Sequence, residues 1–245
     1  MKNIKSIWIF GLLATIAIIV IPIVIFLPKN GDVEKADPWE NVPQHVTYTD
    51  HTAILPGPFD APQDVTNACL ECHPDAADQV MLTSHWTWES EPVLVDGRDE
   101  PVTVGKKNQG NNFCIGIQGN WPKCTSCHIG YGWDDENFDF TEQSNVDCLA
   151  CHADMDTYAK GIAGNPAEGV DLTAAAQSVS GSPGRDNCGK CHFNGGGGNG
   201  VKHGDLDESL YFPDESLDIH MGRYDMLCID CHQTSDHQIT GHALS

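Results

Sequence analysis

The sequence C-x-x-C-H occurs five times in this chain. The copies are Cys69-Leu-Glu-Cys72-His73, Cys124-Thr-Ser-Cys127-His128, Cys148-Leu-Ala-Cys151-His152, Cys188-Gly-Lys-Cys191-His192 and Cys228-Ile-Asp-Cys231-His232. Chance would supply on the order of 0.02 copies at these cysteine and histidine frequencies. The spacing has a chemical reason. Two thiols three residues apart add across the two vinyl groups of one haem, and the adjacent histidine then lies under the iron as proximal ligand. Ten of the eleven cysteines are used in this way. Zinc ribbons carry C-x-x-C pairs but do not require a histidine after every second cysteine. Thioredoxin-like pairs need a βαβ setting that the sequence lacks, and a disulfide framework leaves the histidines unexplained. The reading is five covalently bound haem c groups.

Haems this dense supply most of the buried apolar surface themselves, which accounts for a scarcity of periodic apolar pattern after residue 65. The expected fold class is a multihaem cytochrome c: mainly α with much irregular loop, a haem-packed core, and one transmembrane helix in front. Short helices are expected at Asp75–Leu82 and Asp171–Val179, and strand alternation at Pro92–Val95 and Pro101–Val104. Trp86, Trp88, Trp121 and Trp133 read as aromatics packed on haem. Without haem the chain is not expected to fold.

Residues Ile7 to Leu27 carry no charge, and this run is long enough to cross a bilayer core. Pro22 inside it is tolerated in lipid. Lys2 and Lys5 precede it, so the amino terminus stays cytoplasmic and the rest of the chain is exported. A cleaved signal peptide is the rival, but the run exceeds the usual apolar core of a signal and no good A-x-A site follows. The expected organisation is a membrane anchor over 1–30, a linker over 31–62 and a multihaem domain over 63–245. That places a single-pass anchor in the inner (cytoplasmic) membrane with the soluble part periplasmic. A net charge of −22 argues against a nucleic-acid partner.

Seven histidines lie outside the motifs: His45, His51, His85, His203, His220, His237 and His242. Five haems need at most five distal ligands, so bis-histidine ligation throughout is possible on supply alone. The preferred set is His51, His85, His203, His220 and His237; His45 falls in the linker and His242 near the end. Cys114, the odd cysteine, reads as a small buried thiol or as a thiol at a catalytic pocket. Lys160 is a surface lysine or, if burial neutralises its amine, an iron ligand. Gly195–Gly198 lacks the Gly-Lys-Ser/Thr of a phosphate loop and reads as close backbone approach to haem or plain flexibility. Asp205, Asp207 and Ser209 are read as a solvated acidic turn, with calcium as the alternative, since the glycine of a calcium loop is missing.

The strings His85-Trp-Thr-Trp, Asn-Asn-Phe-Cys114-Ile-Gly, Gly-Asn-Trp-Pro-Lys-Cys124-Thr-Ser-Cys127-His128, Cys188-Gly-Lys-Cys191-His192-Phe-Asn-Gly-Gly-Gly-Gly and Val-Lys-His203-Gly-Asp resemble the octahaem tetrathionate reductase family of c-type cytochromes. The resemblance covers nearly all of residues 45–245. It implies reduction of a small sulfur or nitrogen oxyanion, such as tetrathionate, nitrite or hydroxylamine, at a lysine-ligated second haem, with bis-histidine haems relaying electrons from a quinol-linked or cytochrome donor. Carried onto this chain, Cys124 and Cys127 hold the second haem, and Lys160 matches the ligating lysine, either opposite His128 or replacing it. Cys114 would lie near that pocket, so the implied catalytic set is Lys160, Cys114 and His128. Lys106, Lys107 and Lys123 are candidates for a local cationic patch that admits an anion to an acidic protein. Members of the family are longer and carry further haem motifs, so this chain looks like an amino-terminal portion of one. The alternative function is pure electron transfer with every iron bis-histidine.

Overall fold

In the computed structural model of the chain, residues 4–26, 48–108, 116–193, 198–201 and 206–241 are described. They fall into two units, with the division after Val42. The first holds one helix, α1 (Ile4–Phe26), with Pro22 inside it. Its stretch Trp8–Phe26 has mean hydropathy 3.0, enough to cross a membrane by length and composition. A signal sequence near the amino terminus passes the same test.

The second unit is built from short helices joined by turns. α2 (Pro62–Leu70) starts with proline at its first position, where the missing N–H costs nothing. The Asp64 carboxylate accepts the Ala61 N–H at 3.1 Å. α3 (Ala76–Met81) and α4 (Ser84–Thr87) follow. α5 (Trp121–Cys124) and α6 (Leu149–His152) are single turns. α7 (Leu172–Gln177) is capped by Asp171, which accepts the Thr173 and Ala174 N–H groups. α8 (Arg185–His192), α9 (Ile219–Arg223) and α10 (Cys228–Cys231) complete the helices, and β1 (Thr234–Ser235) pairs antiparallel with β2 (Gln238–Ile239).

Two expected helices therefore form, each a little shorter than the sequence suggests. The expected strand pairing at Pro92–Val95 and Pro101–Val104 narrows to one bridge, Val93 with Val102, plus the bond from Ser90 N–H to the Val104 carbonyl. Leu94 and Val95 are exposed, so the alternation has no buried face to extend the ladder.

The apolar core is thin. One cluster joins Leu55, Val65, Leu149, Ala153, Tyr158, Ala175 and Ala176. A second joins Ala77, Trp86 and Val146. They meet along Val146–Leu149, the segment that opens the third C-x-x-C-H. Thr66, fully buried on α2, anchors that segment by donating to the Val146 carbonyl at 2.7 Å.

Candidate functional site

Each motif is one helical turn, and this local winding sets two thiols and a ring on neighbouring faces. In the first, third and fifth copies the histidine N–H bonds back to the carbonyl of the first cysteine, at 2.9, 3.1 and 2.8 Å. The fourth copy lies wholly inside α8. The second departs from this pattern. α5 ends at Cys124, the chain tightens into a 3-10 turn over Thr125–Cys127, and His128 N–H bonds to Thr125 at 2.9 Å.

The motifs pack on one another through sulfur. Cys69 meets Cys148, Cys127 meets Cys191, and Cys188 meets Cys228. The partner sulfur draws the Cys127 and Cys228 thiols down to about 6. Burial pushes Cys151 up to about 11. All ten described cysteines are free thiols, as thioether attachment requires.

Two histidines from outside the motifs face motif histidines. The His85 and His192 rings are 6.0 Å apart between centroids and nearly perpendicular. The His152 and His237 rings are 6.4 Å apart at a similar angle. Two imidazoles ligating one metal from opposite sides, each nitrogen about 2 Å away, place their centres roughly 6 Å apart. Hydrogen bonding engages Nδ1 on three of the chain's histidines. His152 donates from Nδ1 to the Ser180 carbonyl at 3.3 Å, His232 from Nδ1 to Thr240 at 2.9 Å, and His237 from Nδ1 to Gln79 Oε1 at 2.8 Å. A ring held at Nδ1 presents Nε2 outward, the usual way a second partner orients a metal-binding histidine. His85 is pushed down to about 4 by burial, with the neighbouring His192 adding to it, so it stays neutral and able to ligate. The residues present fit covalently held, histidine-ligated haem.

His128 is arranged the other way round. It is fully buried, and its Nε2 lies 2.7 Å from the Trp86 carbonyl oxygen, while Nδ1 is buried with no hydrogen-bond partner. Five rings enclose it: Trp133 at 4.6 Å, Trp86 and Phe138 at 5.3 Å, Trp88 at 5.4 Å and Phe140 at 6.0 Å. Trp86 is itself fixed by donating from its indole N–H to the Phe140 carbonyl at 3.1 Å. Gly130 lets the box close, since a Cβ there would lie 2.8 Å from both the His128 ring and Trp86. Burial pushes the imidazole down to about 4; the Lys160 charge adds to this and the Trp86 bond opposes it.

Near the same turn lies a buried carboxylate. Asp147, just before Cys148, accepts the Tyr131 O–H at 3.0 Å, the Tyr158 O–H at 2.7 Å, the Ala150 N–H at 3.0 Å and an N–H of Lys160 Nζ. Lys160 Nζ also donates to the Gly164 carbonyl at 2.7 Å. Burial, and after it the Asp147 charge, raise both tyrosines well above their usual range, so their hydroxyls stay protonated donors. Lys160 acts electrostatically on His128 and on Cys127, Cys151 and Cys191, so its charge is felt at the second, third and fourth motifs.

No family model matches the chain. An uncharacterized protein of Archaeoglobus fulgidus is 26% identical over 223 aligned positions, covering 71% of this chain and 74% of that one. The crystal structure of an octahaem cytochrome c from Shewanella oneidensis matches with TM-score 0.70 and 48% identity over 80% of this chain. The chain is a multihaem c-type cytochrome. It spans 43% of the length of that octahaem relative.

In the cytochrome, the remaining expected site residues are distributed as follows. Cys114, His203, His45, His242 and Asp205, and most of Gly195–Gly198, lie outside the described residues. His51 has a buried Nδ1 without a hydrogen-bond partner and acts, with His73 and His237, on His152. His220 stands half-exposed on α9, 3.8 Å from Asp218. Asp207 caps a 3-10 turn by accepting the Ser209 N–H at 2.8 Å, so both residues are used by the local backbone. Lys106 sits 5.6 Å from the Trp88 ring centre and acts on Cys127. Lys107 lies 4.2 Å over Phe140 and pairs with Glu89 at 3.5 Å. Lys123 is on α5. Of the four tryptophans expected to pack on haem, Trp86, Trp88 and Trp133 surround His128. Sequence reasoning missed Asp147, Tyr131, Tyr158 and Gln79. An acidic residue directly before a C-x-x-C-H was the signal available for Asp147.

Proposed function

We propose that this multihaem cytochrome is membrane-anchored, holds five haem c groups on the extracytoplasmic side, and reduces a small sulfur or nitrogen oxyanion at its second motif. The observation that carries the reading is the reversal at His128. Its Nε2 is engaged by the Trp86 carbonyl, whereas His152 and His232 are held at Nδ1. Lys160, whose charge reaches Cys127, would then hold the second haem iron in place of His128 and leave that iron accessible to substrate. Haem iron at that site would supply a Lewis acid and a source of electrons.

The chain's own residues do the rest. The aromatic box around His128 keeps that imidazole neutral and away from the centre. Lys106 beside Trp88 offers positive charge to an anion in an otherwise acidic protein. His85 with His192 and His152 with His237 would hold the fourth and third haems. The contacts between motifs, first to third, second to fourth and fourth to fifth, support closely spaced haems that pass electrons onward. Electrons would come from a quinol-linked or cytochrome donor, and the apolar helix α1 would be the anchor.

The test is electron paramagnetic resonance of the oxidised, haem-loaded protein with and without tetrathionate, nitrite or hydroxylamine. One minority component should shift with one of these compounds. Bis-histidine signals alone, unmoved by all three, would leave a pure electron carrier.

A further inference from the structure

We infer that Asp147 and the turn at Ala163–Gly164 are the device that aims the Lys160 amine, a reading that rests on Lys160 as ligand at the second motif. A neutral primary amine has two N–H bonds and one lone pair. Lys160 Nζ has two protein acceptors, the Asp147 carboxylate and the Gly164 carbonyl. With both N–H directions taken, the remaining tetrahedral direction is the lone pair.

Both acceptors are rigid. Asp147 is fully buried and is fixed by three further donors, Tyr131, Tyr158 and the Ala150 N–H, so its Oδ2 cannot follow a wandering lysine. The Ala150 bond lies at the start of α6, which ties the lysine of the second site to the helix bearing the third motif. Gly164 is set by two successive left-handed residues, Ala163 at φ 57° and Gly164 at φ 73°. A non-glycine residue in that region stores strain, which persists where the surroundings fix it. Here they do. The Ala163 carbonyl accepts both the Gly132 and Trp133 N–H groups at 3.0 Å, and a Cβ on Gly164 would lie 2.1 Å from the Gly130 carbonyl oxygen. The turn that aims the lysine thus also holds Trp133 against His128. Asp147 is a positioning residue, acting through Lys160.

The experiment uses the full-length, haem-loaded chain, with haem count checked by mass. Lys160→Met defines the spectral component of the second iron in ferric electron paramagnetic resonance and near-infrared magnetic circular dichroism. Asp147→Asn should lose that same component, Asp147→Glu should restore it at a shifted position, and Tyr158→Phe, which takes a donor from the same carboxylate without touching Lys160, should leave it in place. Asp147→Asn with the component intact overturns the inference while Lys160 remains the ligand. Equal loss in Asp147→Asn and Tyr158→Phe also overturns it, because the buried network would then be merely structural. No change in Lys160→Met overturns the ligand reading and this one with it. Should Asp147→Asn fail to load haem, Asp147→Glu decides: a displaced component supports the inference and an unmoved one refutes it.

Discussion

His128 Nε2 and the Trp86 carbonyl oxygen are 2.7 Å apart inside a closed ring of aromatic side chains. Leaving that site for an iron would strand a buried carbonyl and open the box, a cost on the order of 1–3 kcal/mol for the carbonyl alone. In the proposed reading the motif histidine that sequence places under an iron stays with this carbonyl, and the tight turn at Thr125–Cys127 leads directly into it.

The first prediction contrasts two motif histidines. His128→Asn should leave the ligand field of every iron as it was, while His152→Asn should convert one iron from six-coordinate to five-coordinate. Magnetic circular dichroism on chains whose mass shows full haem loading distinguishes the two. A change of iron spin state in His128→Asn would mean that His128 is a ligand after all.

The second prediction follows from the ring pairs. His85→Ala and His237→Ala should each open one iron to carbon monoxide in the reduced protein, and the double variant should open two. Titrated carbon monoxide stoichiometry checks this. Uptake unchanged from the parent chain in either variant would break that pair.

Much of this was legible in the sequence, because covalent chemistry dictates it: thiols at fixed spacing with a histidine beside them specify haem irrespective of fold. Short helices at 75–82 and 171–179 were also legible, and the structure caps the second with Asp171. The ring pairs were not, because His85 and His192 stand over a hundred positions apart and only packing brings them together. Nor was the Asp147 network. Its place directly before a C-x-x-C-H singles Asp147 out, but the four donors around it come together only on folding. The strands at 92–95 and 101–104 failed for the opposite reason: local alternation existed, with no core for it to face.

A third prediction separates backbone strain from steric conflict. Gly164 and Gly169 both have left-handed backbone, at φ 73° and 86°. A Cβ at 169 meets nothing within 4 Å, whereas one at 164 meets the Gly130 carbonyl oxygen at 2.1 Å. Gly169→Ala should cost about 1 kcal/mol for its backbone alone, and Gly164→Ala about 3 kcal/mol or more. Urea unfolding of both variants measures the gap. Equal losses would show that the turn yields freely.

The fourth prediction concerns acid. The buried His128 imidazole is pushed down to about 4, against about 6.5 in an unfolded chain. Between those values the unfolded state binds the extra proton, so stability rises with pH through this window and is lost as pH falls through it. The contribution is complete above pH 6.5 and has shrunk by about 2 kcal/mol at pH 5. Urea unfolding of the parent chain and of His128→Asn, each at pH 7 and pH 5, isolates it, because other titrating groups are common to both. The parent should lose about 2 kcal/mol more than the variant over that interval. Parallel losses in the two chains would show that His128 ionises freely, and hence that the aromatic box is open to water.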